Sequence, residues 1–162
     1  MYLNLQNNAF IGPLPDMSAL ANAKLLNTLS FRSNQLSGFI PTTIGMLGVE
    51  FLSLSGNKLA GPVPSELGQL SNAKDLYLYD NLLTGPLPTE LGLLTKLTRL
   101  ELHLNNLSGW VPKEVCDLNL NGNLATLTVD CEKVTCSCNC DCTVTEDRFR
   151  PGTVFDIIGG KE

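Results

Sequence analysis

Leucines alternate with polar or aromatic residues in short runs, and the runs recur at a nearly constant distance along the chain. In Leu76–Pro88, LYLYDNLLTGPLP, Leu76 and Leu78 alternate with Tyr77 and Tyr79, which is the two-residue period of a strand buried on one face. The frame places Asn8, Asn34, Asn57, Asn81 and Asn105 at spacings of 26, 23, 24 and 24 residues. Each asparagine has an apolar residue two positions on and a glycine four positions on. A period of this length predicts stacked coils, each burying its leucines against its neighbours. One short strand per coil, near Leu29–Phe31, Leu52–Leu54, Leu76–Leu78 and Leu100–Leu102, predicts a parallel sheet with the tyrosines facing outward.

The rest of the frame predicts the rest of the coil. Asn81 turns the chain inward, where its amide can satisfy backbone groups of the bend that no ladder reaches. Gly85 admits a backbone that side chains would block, and the Pro-Leu-Pro after it stops a helix or a paired central strand. The back of each coil is therefore expected to be a short extended piece followed by a turn or brief helix. Two segments depart from the frame: Asp16 to Asn27 is longer, and Gly45 to Phe51 is one residue short. Both fall on the outer side, where length changes are absorbed most easily.

The frame LxxLxLxxNxLxGxIP followed by xxLGxL resembles the plant-specific class of leucine-rich repeats. Such repeats are found in receptor-like protein and receptor-like kinase ectodomains and in polygalacturonase-inhibiting proteins. The resemblance covers residues 1–131. It implies an α/β-type solenoid of five to six coils, with a parallel sheet on the concave face and turns or 3-10 segments on the convex side. It also implies a non-catalytic recognition module that binds a protein, a peptide or a cell-wall glycan on the concave face. Two alternatives are a fragment of a receptor ectodomain and an inhibitor of a secreted polysaccharide hydrolase. Nothing in the chain supports phosphoryl transfer, and the glycines recur with the repeat rather than forming a phosphate loop.

Met1 lies just before Leu3 and Leu5, inside a repeat. A polar first cap and a secretory leader are both missing from MYLNLQNNAF, so an N-terminally truncated array is expected. A formal charge of −5 and a pI near 4.8 argue against nucleic acid or an anionic membrane as partner. No apolar run has the length of a membrane span.

After Pro112 the pattern changes. Cys116 takes the position held by Gly45, Gly68 and Gly92, and Asn121-Gly122-Asn123 is an inserted turn before Leu124, Leu127 and Val129. Residues 131–142, CEKVTCSCNCDC, hold five of the six cysteines. A cysteine-dense end on a repeat array reads as a disulfide-bonded cap over 116–142 in an extracellular or cell-surface setting. The competing reading is a thiolate metal cluster, but the two separated Cys-x-x-Cys knuckles of a structural zinc site are absent. The VDC…VTCSC ending also resembles secreted leucine-rich repeat proteins of diatoms. Cys116 is expected to pair with Cys131, joining the last two coils, while Cys136, Cys138, Cys140 and Cys142 leave three pairings open. No metal or cofactor is expected. Residues 143–162 fall outside the frame and are expected to form a flexible tail.

Outward strand positions form columns across the sheet. Thr28, Phe51, Asp75 and Arg99 lie six residues before their asparagines; Asn4, Ser30, Ser53, Tyr77 and Glu101 lie four before; Gln6, Arg32, Ser55, Tyr79 and His103 lie two before. The distinctive cluster is Phe51, Asp75, Tyr77, Tyr79, Arg99, Glu101 and His103. Aromatic rings beside charges suit peptide or carbohydrate recognition. The plainer expectation is that these residues satisfy one another, Asp75 pairing with Arg99 and Tyr79 stacking on His103. His103 has no in-frame Ser or Cys partner for nucleophilic catalysis. Asp75 and Glu101 lie on an open sheet beside Arg99, which is expected to keep both ionised rather than raise one for acid catalysis.

Asn106-Leu107-Ser108 is the only N-glycosylation triplet in the sequence. In a chain this rich in Asn, Ser and Thr, one such triplet is expected by chance. Ser37, Thr84 and Ser108 form a row of hydroxyls of the kind that orders water on ice-binding repeats, broken at Ile11 and Ala60.

Overall fold

The computed structural model describes residues 1–142 of the chain; the expected tail, 143–162, lies outside the described residues. Each of the first five coils contributes two short strands. In order these are β1 (Tyr2–Asn4) and β2 (Ile11–Pro13), β3 (Thr28–Ser30) and β4 (Gln35–Gly38), β5 (Phe51–Ser53) and β6 (Lys58–Pro62), β7 (Asp75–Tyr77) and β8 (Leu82–Gly85), β9 (Arg99–Glu101) and β10 (Asn106–Leu107). The end of the array adds β11 (Gly109–Trp110), α1 (Lys113–Asn121), β12 (Thr126–Val129), β13 (Val134–Thr135) and β14 (Asp141–Cys142).

The first strand of every coil joins a seven-stranded parallel sheet, β1-β3-β5-β7-β9-β12-β14. This is the concave sheet that the alternating leucines predict. The extended pieces after the asparagines also pair, into a second parallel sheet in the order β10-β8-β6-β4-β2. That sheet is not anticipated by the proline-rich sequence. It forms because the prolines sit at strand ends, where no ladder donor is lost. The convex side carries 3-10 turns at Met17–Leu20, Thr42–Met46, Ser65–Gln69 and Thr89–Leu93. In-frame leucines fill the space between, with Leu52, Leu54, Leu59, Leu67, Leu76, Leu78, Leu83 and Leu91 fully enclosed.

Two devices hold one coil on the next. The first is the asparagine ladder. Asn81 Nδ2 donates to the carbonyls of Leu78 and Tyr79 in its own coil and of Leu54 in the coil before, and its Oδ1 accepts from the Leu59 N–H. Asn57 and Asn105 repeat the arrangement. Each amide thus ties two bends together, in addition to the backbone bonds between successive bends. The left-handed turn at Gly85 (φ 78°) then leads the chain out to the convex side.

The second device is close backbone approach. A Cβ on Gly68 would lie 2.6 Å from the Glu90 carbonyl carbon and closer still to its oxygen, so only glycine lets the next coil settle there. Gly68→Ala is expected to destabilise by about 2 kcal/mol, the range for overpacking a tight core. Gly48 has an open Cβ direction, and Gly48→Ala is the matched control. Equal urea midpoints for the two variants would refute this account.

The disulfides correct one expectation. Cys116 is bonded to Cys138, not Cys131, and Cys136 is bonded to Cys140. Cys131 is disulfide-bonded as well. The reason is the path of the chain. Cys116 lies on α1, after the bend, whereas Cys131 directly follows the sheet strand β12, about half a coil away. Only after β13 has run back beside β11 does a cysteine, Cys138, come to a Cα separation of 5.5 Å from Cys116.

Candidate functional site

Backbone pairing sets the columns of the concave sheet. Register runs Tyr2, Thr28, Phe51, Asp75, Arg99, Thr126 in the first column and Asn4, Ser30, Ser53, Tyr77, Glu101, Thr128 in the second. The third column, Gln6, Arg32, Ser55, Tyr79 and His103, is kept in line by hydrogen bonds from Asn7 to Arg32, Ser33 to Ser55, Gly56 to Tyr79 and Asp80 to His103. All seven residues of the expected cluster therefore lie on one face and in contact.

Their side chains divide the face in two. On the C-terminal side most groups are engaged with one another. Arg99 Nη1 donates to the Tyr77 hydroxyl at 2.6 Å and lies 3.8 Å from Asp75, while its Nε lies 4.0 Å from Glu101. The rings of Tyr79 and His103 stack at 4.8 Å and 5°. The Phe51 and Tyr77 rings meet at 5.2 Å, and Tyr77 meets Tyr79 edge-on at 6.4 Å. The Asp75–Arg99 pair and the Tyr79–His103 stack are those the columns predict.

The N-terminal side is open. A hollow of about 260 Å³ is lined by Gln6, Ser30, Arg32, Phe51, Ser53, Ser55, Tyr77 and Tyr79. Its floor is made of serines that are almost fully enclosed, Ser53 and Ser55 sharing a hydrogen bond of 3.0 Å. Serines in two successive coils beside the large rings of the next leave this depression. The Arg32 guanidinium lies over the Tyr79 ring at 5.9 Å. Among the described residues no carboxylate stands at ion-pair distance from it. Arg32 and the serines stand in the same columns as the cluster, but the sequence offers no sign that the space in front of them is empty.

The electrostatics of the face differ from expectation at Glu101. Burial raises its carboxyl above the usual range, and the nearby Arg99 and Arg32 only partly offset that. The charge of Arg99 alone would keep Glu101 ionised without raising it, and desolvation outweighs that charge.

His103 is shifted the other way. Burial lowers it, with Asp130 and Asp80 opposing, and its Nδ1 lies 2.8 Å from Thr128 Oγ1. The folded chain therefore binds fewer protons at His103 than the unfolded chain. This contribution to stability is present above the unfolded value of about 6.5 and is lost as pH falls through the depressed folded value. Glu101 has the opposite sign: its contribution is complete below about 4.5 and disappears as pH rises through its raised value. The urea midpoint of the wild type is expected to drop between pH 7.5 and 5.5 relative to that of His103→Gln. Parallel profiles would exclude His103 as the source.

Asp130 is a residue the sequence reading did not single out. It is buried and accepts from the N–H groups of Leu104 (2.8 Å) and Asn105 (2.9 Å). In the preceding coils a backbone carbonyl of the next coil accepts from the asparagine N–H, as Leu104 does for Asn81. The carboxylate of Asp130 replaces that carbonyl at the end of the ladder. Its place in the third column after His103 is the only sequence signal, and the three-residue insertion obscures it.

As chemistry, the open half offers one guanidinium, an amide and aromatic edges around a hydroxylic floor. That is a set for holding a carboxylate-bearing, partly apolar group. Among the described residues no helix is long and apolar enough to cross a membrane.

The comparisons with known proteins agree with this architecture. A family model described as Leucine Rich Repeat matches residues 25–47 and 48–70. The chain is 48% identical over 42 residues to receptor-like kinase TMK2 of Arabidopsis thaliana, covering 26% of this chain and 4% of that protein. It is similar to the Arabidopsis receptor kinase HAESA, solved in complex with the peptide hormone IDA and the co-receptor SERK1. There the TM-score is 0.73 at 32% identity over 83% of this chain and 22% of that one. A chain of the BIR3–SERK2 complex from Arabidopsis thaliana matches with a TM-score of 0.66 at 34% identity, over 78% of this chain and 68% of that one. This chain thus spans a small part of TMK2 and about a fifth of the HAESA ectodomain chain. Its stacked coils, asparagine ladder and matched relatives agree: the chain belongs to the leucine-rich repeat family, with repeats of the kind carried by plant receptor kinase ectodomains.

Proposed function

We propose that this chain is a non-catalytic recognition module, acting outside the cell or at its surface, that binds a peptide segment across the concave sheet at the Arg32 hollow. The observation that carries this reading is Arg32. Asp75, Arg99 and Glu101 form one charge cluster on the face, whereas the Arg32 guanidinium stands over Tyr79 beside a hollow, with no carboxylate at ion-pair distance among the described residues. An exposed guanidinium without an ion-pair partner can take a ligand carboxylate in charge-assisted hydrogen bonds, and rings around it supply apolar area with polar tips. HAESA, which binds a peptide hormone, and PEPR1, solved with AtPEP1, share the fold at 32% identity. The disulfides of the cap fit an oxidising compartment.

The test is a screen of the secreted protein on peptide and oligosaccharide arrays, with hits re-measured by calorimetry. Arg32→Ala is expected to weaken a carboxylate-bearing ligand at least about tenfold, equivalent to about 1.4 kcal/mol. Tyr79→Ala should weaken the same ligand. Equal affinity in wild type and both variants would place the contact elsewhere.

A further inference from the structure

Asn106 is the first residue of β10, the outermost strand of the second sheet, and its side chain is exposed. The corresponding position in the other coils holds Ala9, Gln35, Lys58 and Leu82, so only the edge coil carries asparagine there. Its Oδ1 accepts from Lys133 Nζ at 3.2 Å, and the same ammonium donates to the Asn105 carbonyl at 2.8 Å. The contact fixes the amide by its oxygen and turns Nδ2 away from Lys133. Ser108, the third residue of the triplet, is exposed too, its N–H held by the Gly85 carbonyl. Four residues beyond Asn106, in β11 where it pairs with β13, stands Trp110, 68% exposed and the only tryptophan in the chain.

A large bare ring on the surface favours contact with another chain unless something covers it. We infer that Asn106 carries an N-linked glycan, and that this glycan covers β10 and Trp110. The modification rests on the extracellular reading, because the donor is a lipid-linked oligosaccharide of the secretory pathway. Asn106 Nδ2 attacks the anomeric carbon; the N–C bond forms, the C–O bond to the lipid pyrophosphate breaks, the lipid pyrophosphate leaves and one amide proton is lost. Oδ1 is untouched, so the Lys133 bond survives and keeps the glycan pointing outward. The sequence alone shows a triplet of chance frequency. The structure adds exposure of Asn106, an oxygen fixed by Lys133 and a bare aromatic ring four residues on.

The experiment expresses the full chain behind a signal peptide in eukaryotic cells and compares wild type with Ser108→Ala, Ser108→Thr and Asn106→Gln. Intact mass is read before and after peptide-N-glycosidase, alongside thiol titration. Wild type and Ser108→Thr are expected to carry one glycan, Ser108→Ala and Asn106→Gln none, with Asn106 converted to Asp on enzymatic release. Removing the glycan from folded wild type should increase acrylamide quenching of Trp110 and the tendency to self-associate. A secreted, fully oxidised chain with unmodified Asn106 would overturn the glycan and leave the recognition reading intact. A retained chain with free thiols would overturn both. A glycan whose removal leaves Trp110 quenching unchanged would overturn the covering role.

Discussion

Asn81→Ala is expected to destabilise the chain by about 3 kcal/mol, the largest effect of any single polar substitution in the array. The side chain is buried and makes hydrogen bonds of 3.0 to 3.3 Å to the carbonyls of Leu54, Leu78 and Tyr79, besides accepting from Leu59 N–H at 3.1 Å. Alanine removes all four. The Leu54, Leu78 and Tyr79 carbonyls keep their bonds from Asn57 Nδ2, Asn105 Nδ2 and Gly56 N–H, so the enclosed Leu59 N–H is the group left without its partner, at about 1–3 kcal/mol on top of the lost bonds. The damage should not stay in one coil. Because two of the four bonds reach the coil before, amide exchange should rise at Leu54 and Leu59 as well as at Leu78. Asn8 makes only two bonds, both to its own coil, and is exposed. Asn8→Ala should therefore be nearly silent. A urea melt in which the two substitutions cost the same would refute the inter-coil ladder.

Breaking Cys116–Cys138 by the paired change to serine is expected to cost about 3 kcal/mol. The bond closes 22 residues of sequence separation, and loop-closure entropy of that length has this magnitude. It also clamps α1 to the chain returning from β13, so the loss should be local. Exchange is expected to rise in α1, β12 and β13, while β3 to β7 keep their protection, as in an array stabilised by nearest-neighbour contacts. Removing the short-range Cys136–Cys140 bond, with 4 residues of separation, should cost much less. If both pairs prove equally costly, loop closure is not the source of the cap's stability.

These outcomes separate what could be read from residues alone. The solenoid was legible because a period near 24 residues repeats every chemical role at one height of the coil. Leu76 predicts Leu100, and Asn81 predicts Asn105. The columns were legible for the same reason, since parallel strands of nearly constant period place Asp75 beside Arg99 and Tyr79 beside His103. The second sheet was not legible. Whether extended segments pair depends on their separation, and a row of prolines hides the donors that remain between them.

The stacked coils, the buried leucines, the asparagine ladder and the composition of the concave columns all follow from local periodicity and can be read from the residues. Which sulfur meets Cys116, that burial outweighs Arg99 at Glu101, that Asp130 ends the ladder, and that the open ground on the face lies at Arg32 emerge from the folded chain. Each of these depends on distance and desolvation between segments in different coils. Such quantities are set by the path of the whole chain, and no periodic pattern carries them.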